Sequence, residues 1–392
     1  MRVLDLKIVL TFVGIAIPYL GAFGLYQQIN LLLFGISSAI LFASDISVRQ
    51  SQLLFFGVAM ILASTFVGLL KGHVFNYSDL SDLLFLPVLL VIYKRHAADM
   101  NSVRGVFWCS VALIHLNFFI QLPSLFEINI GQYWAETGLF SIDYFSVRAT
   151  GLSGQPGKNA ILVSLLTLSL HLSMRGYLRL SRPSFLAKMV YFSAFGVAFA
   201  SVLWTMSRVG IVAFLLVALA SPFRFKSLIF FVALALCAGT FFSSLIPAHL
   251  TVNLLERVSG GDVSSLGYRN LMMRVALEEV FGNLQSLLTG FGTSKVSADD
   301  YPLLIPDHTM RYPDSSFTLA LFRYGISGLL FYTGILLHFV RQFEGWSRVV
   351  IVLVLSILYL NDPLLHDFKI LFAISLLGLI ANNRRSAICA GS

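Results

Sequence analysis

Residues 148–174 read RATGLSGQPGKNAILVSLLTLSLHLSM. The first thirteen positions hold three glycines, a proline, an arginine and a lysine, and the remainder is dominated by leucine and other apolar residues. A charged, glycine-rich head on an apolar run marks the mouth of a membrane helix. A helical run satisfies its own backbone hydrogen bonds in lipid, whereas a polar head needs water, protein or a ligand.

The same alternation extends in both directions. The chain has 392 residues, with 12% of them charged, and its mean hydropathy is +0.83. Soluble domains carry about twice that share of charge. Apolar runs place about twelve spans, near residues 6–25, 29–46, 51–70, 79–93, 104–125, 159–174, 189–206, 209–221, 227–246, 315–340, 349–360 and 368–381. The chain therefore reads as an all-α polytopic membrane protein, a single integral membrane domain over 1–392. The first run, Ile8 to Leu25, has span length and lacks a small-residue cleavage site, so no cleavable signal is expected. The third and fourth spans are joined by KGHVFNYSD (71–79), and the fourth carries Asp82 inside it.

The formal charge is +8. No clustered basic and aromatic tract accompanies it, so nucleic acid is not the expected partner. Membrane proteins collect Lys and Arg in cytoplasmic loops. YKRH (93–96), RGYLRLSRP (175–183), FRFK (223–226) and NNRR (382–385) fall on one side of a twelve-span count. That side is cytoplasmic, with both termini. The opposite side receives two larger loops, 126–158 and 247–313, the second lying between the ninth and tenth spans. The second contains LGYRNLMMRVALEEVFGNLQSLLTGFG (266–292), where Leu271, Val275, Phe281, Leu284 and Leu288 recur at helical spacing. Such a helix lies on the bilayer surface or caps a cavity. Cys109, Cys237 and Cys389 form neither a disulfide framework nor a zinc spacing.

The sequence carries no Walker loop, HExxH, CxxC or dinucleotide fingerprint, so neither ATP nor a metal is indicated. What remains is arginine. Arg148 stands just before the sixth span, beside glycines that let backbone amides approach a ligand. Asn159 is the expected N-cap there, and helix N-termini favour anions. Arginine grips a phosphate through two parallel hydrogen bonds. The alternative reading is an interfacial loop with Arg148 snorkelling to lipid headgroups.

TMSRVG (205–210) puts Arg208 in a tight turn between two spans. Arg269 and Arg274 lie on the large loop, where Arg274 is also four residues from Glu278, the spacing of a helical ion pair. Arg311 and Arg323 flank the start of the tenth span and, with Arg269, are further candidate diphosphate ligands. Arg323 is about two turns inside it and needs a partner or water. Asp314 is about 13 Å away along a straight helix, too far to be that partner. In IPDHTMRYPDSSFTLALFRYGISGLLFY (305–332), Asp314 and His308 are the candidate bases for activating a hydroxyl. Asp314 is equally placed to cap the tenth span.

Three segments, in order over 148–331, resemble the bacterial O-antigen polymerase and ligase superfamily. RATGLSGQPGKNA resembles its R-x-x-G-x-x-x-x-P segment opening a span. TMSRVGIVAFLL (205–216) resembles its T-x-S-R turn. RNLMMRVALEEVFGNLQSLLTGFG (269–292) followed by DSSFTLALFRYGISGLL (314–330) resembles its long external loop and the return into a span. The resemblance implies a metal-independent glycosyltransferase of the GT-C type in the bacterial inner membrane. It would need no cofactor and would act on undecaprenyl-diphosphate-linked oligosaccharide from the periplasmic face. It maps diphosphate binding to Arg148, Arg208 and Arg274, and it implies a chain-length regulator and a flippase as partners. Ligases of the superfamily usually show His-Asn where this chain has Asp314-Ser315, which favours a polymerase. A ligase acting on lipid A-core and a non-enzymatic flippase for the same lipid-linked sugar are the alternatives.

Overall fold

In a computed structural model of the protein, the described residues are 3–18, 35–36, 39, 48–70, 82–83, 86–89, 100–126, 128, 130, 134, 149–181, 183–223, 273–274, 276–278, 280–291, 315–361 and 367–381. The elements they form are helices: α1 (Val3–Ala16), α2 (Val48–Leu70), α3 (Met100–Gln121), α4 (Pro156–Leu180), α5 (Phe185–Trp204), α6 (Arg208–Ala218), α7 (Leu284–Thr289), α8 (Ser316–Val340), α9 (Gly345–Asn361) and α10 (Phe368–Ile380). Short 3-10 turns occupy Leu122–Phe126 and Gly151–Ser153.

Among the described residues, α2, α3, α4, α5 and α8 are long and apolar enough to cross a bilayer, while α1, α6, α9 and α10 are apolar but shorter. The protein is thus an all-α, multi-pass membrane protein. The runs expected at 6–25, 51–70, 104–125, 189–206, 209–221, 315–340, 349–360 and 368–381 each overlap one helix. Nearly all of 29–46, most of 79–93 and all of 227–246 lie outside the described residues.

The helix that follows the RATG segment starts earlier than its apolar run. Its N-cap is Gln155, with Pro156 in the first turn, and Asn159 sits fully buried inside the helix instead of capping it. Proline suits that place because its fixed φ is already helical and its missing N–H would have no partner there. The helix also runs past the expected end at 174 to Leu180, because charge ends an apolar run without ending a helix.

α4 is the hub, packed against α3, α5, α6 and α10. Small hydroxyl residues let these helices approach. Ser164, Thr167 and Ser169 are fully buried, and each donates to the carbonyl four residues earlier at 2.7–3.0 Å, so these three hydroxyls are satisfied within the helix. Gly210 of α6 lies so close to α4 that an added Cβ would fall on the Ala160 side chain.

α8 packs against α2, α7 and α9, and it is broken. Gly325 adopts φ 62° and ψ −157°, outside the helical region. A residue with a Cβ would be strained there and would meet the Leu287 and Leu288 backbone at 2.6–2.7 Å. The Phe291 amide, from the segment after α7, donates to the Phe322 carbonyl at 2.8 Å. It thereby satisfies an acceptor at the break.

Of the amphipathic helix expected over 266–292, the described residues form two pieces, while 266–272, with Leu271, and Val275 lie outside the described residues. Helical residues continue to Phe281, then Asn283 caps α7 by accepting from the Gln285 amide at 2.9 Å. The buried face is also different. Ala276 and Val280 pack on Leu321 and Phe322 of α8, while Phe281, Leu284 and Leu288 are exposed. Asn283, at φ −142° and ψ 132°, interrupts the helix, so one helical period does not run through both pieces.

Candidate functional site

Among the described residues, the N-termini of α4, α6 and α10 lie together at one end of the bundle. The α4 and α6 N-termini meet where Gly210 faces Ala160, and the α4 and α10 N-termini are joined by an ion pair, Lys158 Nζ to Asp367 Oδ2 at 3.0 Å. Asp367 also caps α10, accepting from the Lys369 and Ile370 amides at 3.0 and 3.2 Å. Ser207 caps α6 by accepting from the Gly210 amide at 3.2 Å. The α4 N-cap, Gln155, makes no side-chain cap bond. Each N-terminus adds a partial positive charge, and Lys158, Arg208 and Lys369 add full ones beside the carboxylate of Asp367. Arg208 is the first helical residue of α6 and is exposed; the turn before it is Thr205–Ser207, with Met206 at φ 51°.

The turn before α4 is pinned from several sides. The Ala149 amide donates to the Trp204 carbonyl at 3.3 Å, tying the RATG segment to the end of α5, four residues before Arg208. The Leu152 amide donates to Asn117 Oδ1 at 2.8 Å. Lys369 Nζ, almost fully buried, donates to the Leu152 carbonyl at 2.6 Å and the Ile17 carbonyl at 2.9 Å. Gly151 has φ 54°, and a Cβ there would collide with the Asn117 and Asn159 side chains. Asn159 is fully buried, and neither atom of its amide has a hydrogen-bond partner among the described residues. A bound group able both to donate and to accept would satisfy it.

The second polar cluster lies at the α8 break. Arg323 Nη1 donates to Asp82 Oδ2 at 2.6 Å, with both side chains buried. The Tyr324 hydroxyl donates to the same carboxylate oxygen. Below the break, an apolar groove of about 500 Å³ runs between α2 and α8, lined by Leu53, Phe56, Ile326, Leu330, Phe331 and Ile335. A Cβ added at Gly334 meets nothing within 4 Å.

Of the arginines singled out in the sequence, Arg208 stands at the three-helix end. Arg274 is exposed and pairs with Glu278, Nε to Oε1 at 2.8 Å, as its spacing indicated. Arg323 is committed to Asp82. Arg148, Arg269, Arg311, His308 and Asp314 lie outside the described residues. The cap of α8 is Ser315, which accepts from the Thr318 amide at 3.4 Å, so the capping role considered for Asp314 belongs to its neighbour.

Sequence reasoning missed Lys158, Lys369, Asp367 and Asn117. The available signal was Asp367 and Lys369 flanking the start of an apolar run, where isolated charges must find partners. It also noted Asp82 and Arg323 separately without joining them. No model of a known protein family and no curated protein sequence matches the chain.

Proposed function

We propose that the protein is a surface-polysaccharide polymerase of the O-antigen polymerase type. It would move a growing glycan from undecaprenyl diphosphate onto a new lipid-linked repeat unit. The reading includes twelve spans, a GT-C-type arrangement and a bacterial inner-membrane location with the three-helix end facing the periplasm. The observation that carries it is the Ala149–Trp204 hydrogen bond, which draws together the segments bearing Arg148 and Arg208.

The chemistry follows from charge. The bond between the anomeric carbon and the phosphate oxygen breaks, and its electron pair leaves with the diphosphate. Negative charge therefore grows on the leaving group, and cations fixed beside it stabilise the transition state more than the ground state. Arg148 and Arg208 fill that role in this reading, with Arg274 from the large loop, while Lys158 and the three helix N-termini supply background positive potential. Arg269 and Arg311 are further candidates, whereas Arg323, neutralised by Asp82, holds the fold. Asp314, relieved of capping by Ser315, takes the proton from the acceptor hydroxyl, with His308 as the other candidate. The activated donor supplies the driving force. The groove between α2 and α8 suits an isoprenoid tail.

Arg148→Ala, Arg208→Ala and Asp314→Ala, each expressed in a strain lacking the chromosomal copy, should insert normally and give single repeat units on a polysaccharide gel. Normal chain lengths from all three would refute the site. A ligase would instead leave lipid-linked polymer and bare acceptor in the deletion strain. The buried Asp82–Arg323 pair is the feature a transporter reading would use. Glycan transfer by purified protein in detergent, with no second compartment, separates enzyme from transporter.

A further inference from the structure

We infer that Asp82 and Arg323 are positioning residues: their ion pair at the Gly325 break fixes an arm that carries the Arg274 helix and the start of α8 as one unit. The inference rests on the proposed function for its activity readout.

The arm is the stretch Ser316–Tyr324, the part of α8 before the break. Its cap is Ser315, and Asp314 precedes the cap in the chain. Leu321 and Phe322 of the arm receive Ala276 and Val280 from the helix that bears Arg274. Phe291 stacks on Phe322 with ring centroids 5.1 Å apart, and its amide bonds the Phe322 carbonyl at 2.8 Å. The arm and the 273–291 helices therefore move together if they move at all.

Two features hold that unit to the rest of the molecule. A Cβ at Gly68 of α2 would come within 2.8 Å of the Phe291 carbonyl oxygen, so the unit abuts the end of α2. At the base of the arm, Arg323 and Tyr324 both reach Asp82, from a segment more than two hundred residues away in the chain. Gly325, the next residue, has left the helical region, so the backbone between arm and stem is not held by a regular ladder. The Asp82 carboxylate supplies at this point the rigidity that the helix has lost. Arg208, by contrast, sits on α6, which is packed into the α4 hub. In the proposed reaction the arm sets how the loop cation and the start of α8 face the cations of the three-helix end. Asp82 and Arg323 act through that geometry and touch no substrate.

The test uses full-length protein with Cys109, Cys237 and Cys389 replaced by serine and spin labels at positions 119 and 284. Phe119 and Leu284 are exposed residues of α3 and α7. Asp82→Asn should broaden the distance distribution between the labels. With a lipid-diphosphate-linked repeat unit as substrate, it should lower kcat about 100-fold while KM stays within about threefold. Asp82→Glu keeps the charge and moves it by one methylene; it should shift the distance without broadening it, and it covers the case in which Asp82→Asn does not fold. Arg323→Lys, which can still pair with the Asp82 carboxylate, should keep most of the wild-type turnover that Asp82→Asn loses. An unchanged distance in both Asp82 variants, or a rise in KM at normal kcat, overturns the inference. The label distance is read without substrate. Absence of transfer by the wild type would therefore remove the proposed activity, and the distance alone would decide whether the Asp82–Arg323 pair fixes the arm.

Discussion

α4 and α8 are both 25 residues long, with the same mean hydropathy of 1.4 over their most apolar windows, yet they are built for opposite ends. α4 is continuous and surrounded by four helices, its hydroxyls bonded to its own backbone. α8 is split at Gly325, and its lost order is replaced by contacts from elsewhere: the Phe291 amide and the Asp82 carboxylate. A continuous buried helix gives a fixed platform for the turn at its start. A split helix gives an arm whose angle depends on a few named groups. Apolar content does not distinguish the two designs; the placement of glycines and opposite charges does.

That contrast can be broken in graded steps. The largest effect on stability is expected from removing one member of the α8 ion pair. Asp82→Leu leaves a buried guanidinium uncompensated and should cost about 3–5 kcal/mol, whereas Asp82→Leu with Arg323→Leu should cost clearly less. Thermal unfolding of the detergent-solubilised variants measures both, and equal losses would remove the pair from the account.

Next come the glycines. Gly210→Ala forces a methyl group onto Ala160 and should destabilise the hub by about 1–3 kcal/mol. Gly334→Ala on the α8 stem meets open space and should stabilise that helix by up to about 1 kcal/mol. Opposite signs in the two melting shifts are the expected result.

Smaller still, Ser164→Ala on α4 removes a hydroxyl that bonds only its own helix, and it should change stability by less than about 1 kcal/mol. Arg274→Ala should be the mildest, because its pair with Glu278 is exposed and worth about 0.3–0.5 kcal/mol. A large loss of chain length from Arg274→Ala at unchanged melting temperature would assign the side chain to ligand binding and not to folding.

Much of the fold was legible because lipid imposes one rule on every span: long, apolar and helical. The runs at 51–70, 104–125, 189–206 and 315–340 needed nothing more. What was not legible depends on partners distant in sequence. Asp82 and Arg323 are 241 residues apart, and no local pattern joins them. Lys369 explains itself only once the Leu152 and Ile17 carbonyls stand beside it. Caps were misplaced by small margins for local reasons. Proline at 156 starts α4 before Asn159 can cap it, and Ser315 occupies the position considered for Asp314. The loop helix is not legible as two elements because its apolar residues keep helical spacing across Gly282 and Asn283, where extended Asn283 interrupts it.

The proximity of the RATG and TMSR segments was implicit only in their shared side of the span count. The Ala149–Trp204 bond gives it atomic form. The central claim is that cations at this end grip a departing diphosphate. Its most direct test is to incubate purified wild-type and Arg208→Ala protein with a lipid-diphosphate-linked repeat unit and follow glycan length and released polyprenyl diphosphate together. The account predicts polymer and stoichiometric diphosphate lipid from the wild type, and neither from Arg208→Ala at equal folded protein. Equal polymer from both proteins, or none from the wild type, would contradict it.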